Sequence, residues 1–120
     1  MKIYIPYEFD NWNQYILKER SNWQWASSLK KKENQVVKQF TQDLKYTGDY
    51  PVKVIVTKYF KDKRQDLDNV RIKGVFDGLV KNGVIKNDNL NCIQEIILKA
   101  EIDKEKVGLE IEIKEVKNNG

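Results

Sequence analysis

Apolar residues recur along this chain at two spacings, and each spacing predicts a different element. Lys2 to Ile5 reads as a short opening strand stopped by Pro6. Leu29, Val36, Val37, Phe40 and Leu44 recur at helical spacing, so a helix is expected from a cap at Ser27 or Ser28 to about Gly48. From Pro51 to Phe60 the period changes to two, with Val52, Val54, Val56 and Phe60 on one side of a strand. Ile72, Val75, Phe76, Leu79 and Val80 then form one helical stripe within Asn69 to Lys81, and Gly83 fits the stop. Ile93 to Ile102 carries apolar residues on both faces, which predicts an interior strand. Val107, Leu109, Ile111 and Ile113 alternate with polar residues as on a strand with one wet face. The order strand-helix-strand-helix-strand-strand predicts an α+β fold, a small single-domain mixed sheet packed against two helices.

Length is consistent with that picture. One domain of 120 residues is large enough to bury a core without disulfide or metal staples. Composition removes whole classes of chemistry. The chain has no histidine and one cysteine, Cys92. Imidazole bases, catalytic triads and zinc or thiol centres are therefore not expected, and a reducing compartment is. The opening MKIYIPYEFDNWNQ lacks an apolar signal core, and no run approaches membrane-spanning length, so the expectation is a cytoplasmic protein without a membrane partner. Any catalysis has to run on carboxylates, lysine and a hard metal ion.

Twenty-two basic residues against eighteen acidic leave a formal charge of +4, which favours polyanionic partners. Lys58, Lys61, Lys63 and Arg64 crowd the approach to Asp66, and Lys30, Lys31 and Lys32 form a second run; either run also reads as a solvated face. Trp12, Tyr15, Trp23 and Trp25 lie among Lys18 and Arg20, a mixture that suits stacking on unpaired bases and equally suits a small core or a dimer interface.

The chemistry concentrates in KDKRQDLDNVRIKGVFDGLVKNGVIKNDNL, residues 61–90. Asp66 and Asp68 lie two apart after a strand, a spacing that puts both carboxylates on one side of an extended backbone. Asp68 also stands where a helix N-cap would, so a capped turn with a spare acid is the plain alternative. Asn69, Lys73 and Asp77 follow at intervals of four, a polar stripe in which Lys73 either pairs with Asp77 or faces a phosphate. Asp88 sits on the return toward the next strand, where it is able to join the first two acids. Three converging carboxylates require a cation, and oxygen-only ligation selects Mg2+ or Mn2+ over zinc. A calcium loop fails, since Val70 and Arg71 occupy the third ligand and glycine positions. No Walker A or dinucleotide fingerprint is present.

Asp66, Asp68 and Asn69, then Lys73 and Asp77-Gly78-Leu79 on a helix, then Gly83-Val84-Ile85 and Asp88, together resemble the RusA-like endodeoxyribonucleases. These are Holliday junction resolvases common in bacteriophages and prophages. The resemblance implies that Asp66, Asp68 and Asp88 bind the metal, that Lys73 is an essential helix lysine, and that a homodimer nicks opposing strands of a four-way junction symmetrically. Lys61, Lys63, Arg64, Asn69 and Arg71 are the candidate DNA contacts. In two respects the chain departs from the pattern. Lys73 stands one residue further from the acid pair than in the best-known members, with Ile72 in the expected place, which reads as a one-residue insertion early in the helix. The N-terminal segment also lacks the proline- and arginine-rich opening of those members. Two other readings stay open: a branched-DNA-binding module without cleavage, and a nuclease acting on flaps or forks.

Overall fold

A computed structural model of the chain describes residues 1–116. Its elements are β1 (Lys2–Ile5), α1 (Trp12–Ser21), α2 (Trp23–Phe40), β2 (Val52–Phe60), a single 3-10 turn (Leu67–Asn69), α3 (Lys73–Lys81), β3 (Ile93–Ile102) and β4 (Leu109–Glu115). The four strands form one mixed sheet in the order β1-β4-β2-β3. β4 runs antiparallel to both neighbours, and β3 runs parallel to β2 after the chain crosses over through α3.

Register explains the core. Ile3 pairs with Ile111, Ile111 with Val56 and Val56 with Leu98, so one apolar row crosses the whole sheet. Ile3, Ile111 and Val56 are buried, and they belong to one core with Val37 of α2 and Val75, Phe76 and Leu79 of α3. Each such side chain contributes about 1.5–3 kcal/mol by leaving water. The cover thins toward β3, where Leu98 is only half-buried and Ile96 and Ile102 are 47% and 46% exposed. β3 is therefore an edge strand, not the interior strand its two-faced apolar pattern predicted: the packed layer ends over β2, and apolar composition alone does not record that limit.

The α+β architecture agrees with the sequence pattern, while element boundaries differ for local reasons. α1 was not expected as a helix. Asn11 and Gln14 make a reciprocal capping box at its start, and only Tyr15 of its residues is buried, so its amphipathic signal is weak. α2 begins at Trp23 because Asn22, rather than Ser27 or Ser28, accepts the Gln24 N–H. It stops at Phe40 rather than near Gly48; there the Thr41 hydroxyl donates to the Val37 carbonyl at 2.6 Å. α3 begins at Lys73 instead of Asn69, since residues 67–69 close a separate 3-10 turn. Its stop agrees with expectation: Gly83 follows the cap in the left-handed region, φ 74°. β4 starts at Leu109, past Gly108 at φ 98°, and this leaves Val107 in the turn.

α3 lies close against α2 because its crossing face carries glycines. A Cβ on Gly74 would stand 2.6 Å from Glu33 Oε1, and one on Gly78 would stand 2.7 Å from Val37 Cγ2. These two glycines are four residues apart, as are the α2 residues they face, so each pair stacks on one helix face. The Asp77-Gly78-Leu79 sequence thus serves the helix crossing as well as any chemistry.

Candidate functional site

At the end of β2 the chain turns through an exposed basic loop. Asp62 fixes that loop by accepting from the Arg64 backbone N–H at 2.9 Å and the Arg64 side chain at 2.8 Å. These hydrogen bonds hold the Asp62 carboxyl below its usual range. Arg64 is thereby partnered, whereas Lys61 and Lys63 are exposed and make no ion pair among the described residues.

Asp66 leads into the 3-10 turn, which closes through Asn69 N–H to Asp66 O and Val70 N–H to Leu67 O. Two anchors hold it. On one side the Asn69 side-chain oxygen accepts from Asn13 N–H at 3.2 Å, tying the turn to the first turn of α1. On the other, Arg71 runs inward and grips Glu33 of α2 with two hydrogen bonds, 2.8 and 2.6 Å. Both side chains are essentially sealed from solvent, at 2% and 1% exposure. The guanidinium also stacks on Tyr15, 4.3 Å from the ring centroid. Burial pushes the Glu33 carboxyl up to about 7, with Arg71 pulling the other way, Asp10 and Asp77 adding to the rise and Lys18 opposing it.

Arg71, a candidate DNA contact, is a buried structural anchor in the structure: its guanidinium is bound to Glu33, and it meets solvent only where the residue borders the cavity beside Asp66. Nothing local in the sequence separates it from its exposed basic neighbours, because its partner lies 38 residues away. Asn69 is likewise not on the α3 face; it is half-buried in the 3-10 turn. The extra residue before Lys73 falls in the non-helical stretch Val70 to Ile72, not early in the helix.

Lys73 is the first residue of α3 and pairs with Asp77 at 3.1 Å, as the four-residue spacing allows. Its amine is raised by Asp77 first and, more weakly, by Asp88. Asp88 lies in the asparagine-rich turn before β3. There Asn87 Oδ1 accepts from the Asp88 and Asn89 N–H groups, and Asn89 Oδ1 accepts from Asn91 N–H. The backbone is satisfied by asparagine side chains, which leaves the Asp88 carboxylate free.

Asp66, Asp68 and Asp88 are all exposed, and none of their carboxylates has a hydrogen bond or ion pair among the described residues. They do not form a ready-made cage: no three carboxylates, histidines or cysteines come close enough among the described residues to hold a metal ion. Asp66 is extended and Asp68 lies inside the 3-10 turn that follows it, so the two acids do not sit on one extended strand as their spacing suggests. The chemistry of the donors still fits Mg2+, which keeps several waters and commonly takes one or two carboxylates plus substrate phosphates.

A cavity of about 420 Å3 adjoins Asp66, between the β1–α1 connection, the end of β2 and the β3–β4 turn. Glu8, Asn11, Gln14, Lys58 and Lys106 line it along with Asn69. Of these five, only Lys58 is marked by the sequence, in the basic run on the approach to Asp66, although the Asn11-x-x-Gln14 capping pair is a local signal that places two more at a helix start. Lys58 is buried and pairs with Glu8 at 2.6 Å.

The family model described as endodeoxyribonuclease RusA matches residues 2–114, from β1 through most of β4. The chain belongs to this family. Over 67 residues, 55% of its length, it is 40% identical to the crossover junction endodeoxyribonuclease RusA of Aquifex aeolicus (strain VF5). The match spans 51% of that relative's length. The RusA family match thus takes in both the acid turn and the N-terminal residues that wall the adjoining cavity.

Proposed function

We propose that this chain is a structure-selective endodeoxyribonuclease that resolves four-way DNA junctions, working in the cytoplasm of a bacterial or phage-infected cell. The observation that carries the reading is the acid turn: exposed, unpartnered Asp66 and Asp68, held between the Asn69–Asn13 and Arg71–Glu33 anchors, in a chain of the RusA family. Asp66, Asp68 and Asp88 are the residues assigned to hold Mg2+, with Mn2+ an acceptable substitute, and DNA phosphate oxygens complete the ligand set. Bound there, the ion would supply an activated water and charge stabilisation at the scissile phosphate. Lys73, oriented by Asp77, offers a positive donor to a phosphate oxygen near Asp88. Lys61 and Lys63 are free to contact the backbone on the approach to Asp66.

Paired symmetric nicks call for two sites related by a two-fold axis, hence a homodimer. The unpaired edge of β3, with Ile96 and Ile102 half-exposed, supports this part of the reading.

A labelled synthetic four-way junction and a matched linear duplex, each with Mg2+ and with a chelator, test it directly. Paired nicks on the junction alone, and only with Mg2+, are expected. Equal cutting of the duplex would refute junction selectivity. A second reading, branched-DNA binding without cleavage, draws on the absence of a three-acid cluster among the described residues. Tight junction binding with no nicking in Mg2+ or Mn2+ would select it.

A further inference from the structure

Three of the four amides around the cavity beside Asp66, those of Asn11, Gln14 and Asn69, share one chemical orientation. Asn11 Oδ1 accepts from Gln14 N–H and Gln14 Oε1 from Asn11 N–H, each at 2.9 Å, while Asn69 Oδ1 accepts from Asn13 N–H. Every one of these side chains commits its acceptor to the backbone and keeps its NH2 group unbonded among the described residues. The charges sort in the same direction. Glu8 is taken by Lys58 and Asp62 by Arg64, whereas Lys61 has no acidic partner among the described residues and Lys106 lies over the Tyr59 ring. The unused polar capacity among the described residues is therefore mostly donor and cation, with Asp66, the Gln65 amide oxygen and the second Glu8 oxygen as the exceptions. Phe9, Phe60 and Leu109 contribute apolar wall.

A site of about 420 Å3 with donors along one side and an apolar wall fits one flat, acceptor-edged molecule rather than a duplex. Every nucleobase carries acceptors on an exposed edge. We propose that this cavity receives a single nucleotide unstacked from the bound DNA, with the NH2 groups of Asn11, Gln14 and Asn69 donating to its base and Lys61 and Lys106 facing its phosphates. The inference rests on the branched-DNA reading above and adds how the strand next to the acid turn is gripped. Extrusion costs least at a branch point, where stacking is already interrupted, so the cavity favours branched over continuous DNA.

A four-way junction carrying 2-aminopurine at its branch nucleotides, with Ca2+ replacing Mg2+, provides the test. Stacking quenches this base, so saturating protein should raise its fluorescence about three-fold or more at one branch position. Gln14→Glu keeps the oxygen that caps α1 and replaces the NH2 donor with an oxygen; Asn69→Asp does the same at the 3-10 turn. Both variants should melt like the parent and still bind at saturating concentration, yet leave the fluorescence near that of free junction. A bound junction with no rise, or a full rise with both variants, would overturn the cavity proposal and leave the nuclease reading intact. A parent protein that neither binds nor cuts a junction would overturn both.

Discussion

Arg71 grips Glu33 through two hydrogen bonds of 2.6 and 2.8 Å in a place almost closed to water, and this pair joins the acid turn to the middle of α2. Removal of one partner leaves a buried charge uncompensated, at a cost of about 3–5 kcal/mol. Arg71→Met should therefore lower stability by that order and release the 3-10 turn that carries Asp68. Pairing Arg71→Met with Glu33→Leu removes both charges and should restore most of the loss. Denaturant melts of the single and double variants measure the coupling; additive losses would show that the pair does not act as a unit.

The same pair predicts an unusual pH dependence. Burial raises the Glu33 carboxyl to about 7 in the folded chain from 4.5. Between those values the folded state keeps a proton that the unfolded state has lost, so this group's contribution falls as pH rises and levels off above about 7. Glu33→Gln cannot ionise. The stability of the parent relative to Glu33→Gln should decline from pH 4.5 to 7 and stay flat beyond. A difference that grows with pH would mean that Arg71 outweighs burial.

Gly74→Ala inserts a methyl 2.6 Å from a carboxylate oxygen already bound by Arg71. Alanine favours a helix over glycine by roughly 1 kcal/mol. Overpacking costs typically 1–3 kcal/mol, and the engaged Glu33 leaves little room to yield. Net destabilisation is expected, read from urea melts, and Gly78→Ala against Val37 should behave alike. A gain in stability at Gly74 would show that α2 withdraws freely.

Asp66→Asn, Asp68→Asn and Asp88→Asn should each lower junction cleavage by on the order of 100-fold or more. These carboxylates are exposed and unpartnered, so stability should stay within about 0.5 kcal/mol of the parent. Lys73→Ala should also slow cleavage severely, at the stability cost of a surface ion pair, a few tenths of a kcal/mol. Paired measurements of rate and melting separate these outcomes. A variant that cuts at the parental rate is not a metal ligand, and full activity of Lys73→Ala would move that role elsewhere.

Periodicity made the sheet and the two amphipathic helices legible, because burial of one face imposes period 2 or 3.6 on the sequence itself. Val52, Val54 and Val56 and the stripe from Ile72 to Val80 are plain cases. What periodicity does not carry is how far a neighbouring layer extends, so Ile93–Ile102 read as interior although it lies at an edge. Arg71 was misread because its character is set by Glu33, on a helix far away in sequence. Side-chain caps also outran the pattern: Asn11 with Gln14, and Asn22, set helix starts that apolar spacing placed later or did not register. At the site, the order Asp66, Asp68, Asn69, Lys73, Asp77, Gly78, Asp88 carried the family, whereas the 3-10 turn that holds Asp68 is not revealed by the spacing.

The cavity beside Asp66 is assembled from three stretches of chain, residues 8–14, residues 58–71 and residues 106–109, the first two joined across the turn by the Asn13–Asn69 hydrogen bond. The 58–71 stretch holds Asp66 and Asp68, two of the acids proposed to bind metal, and the 8–14 stretch holds neither. Under the proposed function the 8–14 wall is an interchangeable grip: an engineer could rewrite it to change which DNA geometry is held while Asp66 and Asp68 stay untouched.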